Sequence, residues 1–147
     1  MKYLPVFFVL FCFASFAYSQ NKPKTTVDPD WATYTPVLNE VAIVTKLHFE
    51  PSTADWKKGE EVYLDQLADL MLKKPSLRIE ISSHIEPRTA KDFARRLSDV
   101  RAGKVEGYLF EKGIATFRLS SVGSGTTRPL EAYQERIEIK FLQIKDE

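Results

Sequence analysis

Residues 77–102 read LRIEISSHIEPRTAKDFARRLSDVRA. Within this stretch Leu77, Ile79 and Ile81 alternate with Arg78, Glu80 and Ser82, the two-residue period of a strand with one buried face. The apolar pattern stops at Ser83, and His84 and Glu86 follow. Polar groups at the carboxyl end of a strand are well placed to meet a ligand. A helix comes next, carrying Leu97-Ser98 and Arg101-Ala102. Its order predicts that Glu86 and Arg101 meet at the mouth of one cleft, a carboxylate beside a guanidinium.

Outward from this segment the same two periods recur. Val41, Ile43, Thr45, Leu47 and Phe49 alternate along a predicted strand over 41–49. Leu64, Leu67, Ala68 and Met71 fall at helical spacing in a predicted helix over 58–73, with Pro75 just beyond it. The helix after the loop is expected over 90–112, with Phe93, Leu97, Val100, Val105 and Leu109 inward and Gly113 as a left-handed cap. A third strand is expected over 117–122, closed by a turn at Gly123-Ser124-Gly125-Thr126. The last strand spans 136–142, where Ile137, Ile139 and Phe141 alternate with charged residues. The expected fold is α+β: a two-layer α/β sandwich of βαβ units, a mixed four-stranded sheet with the helices on one face. The polar alternate positions argue against a sheet covered on both sides.

The N-terminus has a different character. Lys2 precedes the apolar run YLPVFFVLFCFASFAY, which is short for a membrane span. Small residues at Ala17 and Ser19 suit a signal-peptidase cut between Ser19 and Gln20, with a cut after Ala17 as the competitor. An uncleaved anchor is the other reading. Cys12 follows bulky Phe11 and therefore makes a poor lipid-attachment site. Removing residues 1–19 as a signal peptide leaves no cysteine, so no disulfide could support the exported chain. Residues 20–38 read as a tether and edge segment, with Trp31, Tyr34 and Pro36 packing over the edge of a domain at 39–147.

Composition excludes some functions. Lys plus Arg total 21 and Asp plus Glu 20, mixed along the chain, which gives no basic stripe for nucleic acid. Ser82, Ser83 and His84 are consecutive and point to alternating faces of a strand, so they form no nucleophile–base pair. Gly123-Ser124-Gly125 lacks the ending of a phosphate loop. His84, Glu86 and distant His48 lack metal-ligand spacing. The chain is expected to be a non-enzyme without cofactor or metal.

Taken together, the Leu47-x-Phe49 strand, Leu64 and Leu67 before Pro75, the motif LSDVRA at 97–102, Gly113-Ile114, GSGTTRP at 123–129 and Arg136-Ile137-Glu138 resemble the OmpA-like domain. Their joint order carries the resemblance, since each piece alone is common. The resemblance implies an exported module that holds the diaminopimelate stem peptide of peptidoglycan non-covalently, in the periplasm or at the outer membrane. It also implies Glu86, Arg101 and Arg136 as ligand-binding positions, with Glu86 where the family has aspartate. The chemistry fits a zwitterion: a guanidinium fork pairs with the carboxylate, and an acidic group accepts from the ammonium. Three positions depart from the family pattern. Ile85 replaces a threonine, Thr89 a glycine and Ala94 an asparagine; in addition, Gln134 and Glu135 replace an Asn-Arg pair. These changes keep open an alternative: an OmpA-like scaffold without wall binding, serving as a structural or protein-interaction domain among other envelope proteins.

Overall fold

The structure is a computed structural model, and it describes residues 23–143. The expected signal segment and the cut between Ser19 and Gln20 lie outside the described residues. Five strands and two long helices follow in order: β1 Thr25–Val27, β2 Val41–Val44, α1 Glu61–Lys73, β3 Arg78–His84, α2 Lys91–Glu111, β4 Leu119–Gly125 and β5 Arg136–Gln143. A 3-10 turn at Thr116–Arg118 leads into β4. The sheet runs β1-β2-β5-β3-β4, with β5 antiparallel to both β2 and β3 and the two outer pairs parallel. The two helices lie on one side of it. The α+β sandwich is as the sequence predicts, with one strand more.

The fifth strand is β1, inside the expected tether. It pairs with β2 through Thr25–Val27, and the Thr26 hydroxyl donates to Glu40 Oε1 at 2.6 Å. Asp28 then turns the chain at φ 42° and accepts from the Thr45 amide at 2.7 Å and from the Thr45 hydroxyl. That carboxylate explains why β2 ends at Val44 rather than at Phe49. The Thr45 and Lys46 amides bond a side chain instead of a neighbouring strand. Phe49 instead forms an isolated antiparallel bridge with Trp56, closing a loop over 48–57.

Between sheet and helices, Ile79 and Ile81 of β3 and Ile137, Ile139 and Phe141 of β5 meet Leu64, Leu67 and Met71 of α1, all fully buried. Trp31 joins them at 1% exposure, so residues 31–38 contribute to the core rather than only covering its edge. Arg118 closes the far end. Its guanidinium donates to the carbonyls of Met71, Lys74 and Leu77, serving the unpaired C-terminal carbonyls of α1 and the chain after it.

Helix α2 differs from its predicted face. Phe93 and Val100 are exposed, and the buried positions are Ala94, Ser98, Arg101, Ala102, Val105 and Leu109. The reason lies in β4. Gly123 and Gly125 are strand residues rather than a turn, and their amides donate to Asp99 Oδ1 at 2.8 Å and Ser98 Oγ at 2.9 Å. A Cβ on Gly123 would stand 2.4 Å from the Asp99 backbone nitrogen. Helix and strand are therefore in backbone contact, which admits only small side chains between them.

Candidate functional site

The site is built at the end of the sheet where β3 runs out and β5 begins. His84 pairs with Arg136 in the β3–β5 ladder, so Glu86 and Glu135 leave neighbouring strands at the same end. Arg136 opens β5, and Glu135, just before it, reaches the helix side to meet Arg101.

On the helix side stands Arg101, projecting from the middle of α2. Its Nε donates to the Thr53 carbonyl at 2.8 Å and its Nη2 to the Glu50 carbonyl at 3.3 Å, so it ties down the 48–57 loop. The guanidinium lies 4.6 Å from the centre of the Phe49 ring, a cation–π contact. Nη1 lies 3.5 Å from Glu135 Oε2. Burial lowers the guanidinium pKa from its usual value, and the attraction of Glu135 opposes that shift. The Arg101 side chain is 2% exposed and that of Glu135 is 53% exposed.

The expected contact of Arg101 with Glu86 is not made. Glu86 sits in the loop after β3 with Arg88 as its ionic neighbour, at 3.9 Å. That loop closes through the Thr89 amide on the Glu86 carbonyl at 3.0 Å. Thr89 has no positive φ, so the residue replacing a family glycine needs no left-handed backbone.

On the opposite face Arg136 is nearly buried, and its nitrogens are engaged within the chain rather than offered to a ligand. Nε donates to Glu138 Oε1 at 2.7 Å, Nη1 to the Tyr133 carbonyl and Nη2 to the Arg128 carbonyl, both at 2.9 Å. Arg136 therefore clamps the loop that carries Glu135, in place of the expected ligand contact. Buried His84 places Nε2 3.2 Å from Glu138 Oε2. Burial alone would push the Glu138 carboxyl up, but His84 and Arg136 together outweigh it and hold it at about 2. A carboxyl with a depressed folded pKa stabilises the fold above its unfolded value and loses that contribution as pH falls toward the folded one. Acidification from about pH 4.5 to 2 is therefore expected to remove up to about 3 kcal/mol of unfolding free energy through this group. Equilibrium unfolding across that range checks it: Glu138→Gln should flatten the dependence, and an unchanged acid profile would contradict the role of the network.

Sequence reasoning missed Glu135, the carbonyls of Glu50 and Thr53, and the His84–Glu138 contact. Only Glu135 carried a signal, as an acidic residue standing where the resemblance leads one to expect a basic one.

This geometry belongs to a known class of domain. Residues 48–140 match the OmpA family, and the chain belongs to it. Among curated proteins it is similar to outer membrane porin F of Pseudomonas fluorescens, 27% identical over 95 residues. That match takes in 65% of this chain but 29% of the porin, so the chain corresponds to less than a third of that relative. Among solved structures it is similar to the peptidoglycan-associated lipoprotein of Burkholderia pseudomallei, with 20% identity and a TM-score of 0.57 over 66% of this chain and 87% of that one. It is also similar to the cell wall anchor of the T6SS of Pseudomonas aeruginosa, with 22% identity and a TM-score of 0.56 over 65% and 74%.

Proposed function

We propose that this chain is an exported, non-catalytic module of the cell envelope that associates non-covalently with peptidoglycan. It takes the diaminopimelate end of the stem peptide at the end of the sheet where Arg101 meets Glu135 and the loop carrying Glu86 leaves β3. Family membership supports the module, and the names of the lipoprotein and the cell wall anchor support the wall as its target. The observation that carries the site is the Arg101 guanidinium, held by two backbone carbonyls and an aromatic ring beside the Glu135 carboxylate. Groups whose rotamers are already fixed lose little freedom on binding. No helix among the described residues is long and apolar enough to cross a membrane.

Calorimetric titration of the whole chain with a diaminopimelate-containing tripeptide at fixed salt tests this reading. Saturable binding, competed by excess peptide, is the expected result. One observation favours the scaffold reading: Arg101 is nearly inaccessible and already paired within the chain. An absence of any binding by a folded chain would decide for that alternative.

A further inference from the structure

Arg101 has already met a carboxylate. Of its three nitrogens, Nε and Nη2 donate to the loop carbonyls, and Nη1 faces Glu135 at 3.5 Å. Bidentate capture of a carboxylate needs two adjacent N–H groups open to the ligand. A guanidinium 2% exposed offers no such fork while Glu135 is in place. Nor is Glu135 on a loose tail. The residue after it, Arg136, holds the preceding loop by the carbonyls of Arg128 and Tyr133 and is itself anchored on Glu138.

The local charges then favour one kind of ligand. Glu135 balances Arg101, and Glu86 emerges at the same end of the sheet without a buried partner. Its neighbour Arg88 is almost fully exposed, where an ion pair of this length is screened and contributes little. No cation at this end of the sheet therefore stands open for bidentate capture of a carboxylate, since Arg101 is held by Glu135 and Arg136 by Glu138. A free carboxylate arriving there must displace Glu135 or lie beside it as a like charge, and such juxtaposition is costly. An ammonium group there meets the Glu135 carboxylate, held against Arg101.

We propose that Glu135 determines specificity at this site by occupying on Arg101 the place of a ligand carboxylate. The site then selects stem peptides whose diamino acid presents an ammonium without a free carboxylate beside it, such as diaminopimelate amidated at its ε-carboxyl. The inference rests on the wall-binding reading and names the ligand form within it. The experiment titrates the full chain and its Glu135→Gln variant with two tripeptides that differ only in that carboxyl, free acid against amide. The wild type should bind the amide about tenfold more tightly than the acid. Glu135→Gln keeps the shape of the side chain while removing its charge, and should gain affinity for the acid and lose the preference. A wild type that binds both peptides equally, or prefers the acid, overturns the proposal and leaves wall binding standing. So does a preference for the amide that Glu135→Gln leaves unchanged. If neither protein binds either peptide, the wall-binding reading fails, and the specificity proposal fails with it.

Discussion

Replacing Arg101 by alanine is expected to lower the unfolding free energy by about 3 kcal/mol and to weaken stem-peptide binding about thirtyfold. The stability loss has three sources. Two carbonyls of the 48–57 loop, on Glu50 and Thr53, lose charge-assisted donors, each worth about 1.5–3 kcal/mol before relaxation. The Phe49 ring loses its cation. The side chain, 2% exposed, leaves a cavity behind it. Glu135 limits the total because it is half exposed and can turn to water when its partner is gone. The binding loss comes from freeing Glu135 and the 48–57 loop, which Arg101 holds in place at the site. Glu86→Ala should cost less, since Glu86 lies in an exposed turn paired only with Arg88. Denaturant unfolding and titration of the same samples separate the two effects. Arg101→Lys refines them: it keeps the charge but cannot reach two carbonyls and Glu135 in one plane, and should restore little. A stable Arg101→Ala protein with unaltered peptide affinity would remove Arg101 from the site.

Trp31→Ala is expected to cost about 3–5 kcal/mol, the range for deleting a large buried aromatic side chain. Trp31 packs edge-on against Tyr34 at 5.5 Å and against Phe141 of β5 at 6.4 Å, and tilted on Tyr63 of α1 at 5.5 Å. Tyr63 returns a hydrogen bond to the Pro29 carbonyl at 2.9 Å, so the segment is held from both layers. The residue lies outside the 48–140 match to the family. A loss of this size would show that the stretch before the match belongs to the folding unit. A loss below about 1 kcal/mol, typical of a surface position, would reduce it to the edge cover expected from its sequence.

How much of this was legible in the sequence depends on whether a residue's role is local. Strands β3 and β5 and helix α1 were legible, because Ile79, Ile81, Ile137, Ile139, Leu64, Leu67 and Met71 repeat at the period of their element and face one core. The end of β2 was not, since the alternation runs on to Phe49 and the stop comes from Asp28, seventeen residues before Thr45. Strand β1 is three mostly polar residues and carries no period at all. On α2 apolar spacing pointed to Phe93 and Val100, whereas backbone contact with Gly123 turns small and polar residues inward. Arg101 was found through the LSDVRA motif, but its partner was misassigned to Glu86. Spacing along the chain cannot reveal that Glu135, thirty-four residues on, returns beside it in the fold.

Co-sedimentation of the chain with purified sacculi tests the central claim most directly. At neutral pH and moderate salt, the wild type should pellet with the wall material and remain in solution without it. Arg101→Ala, kept below its unfolding temperature, should stay largely in the supernatant. A wild-type chain that remains in solution with sacculi present, while folded by circular dichroism, would contradict the account and leave an OmpA-family scaffold whose partner is a protein.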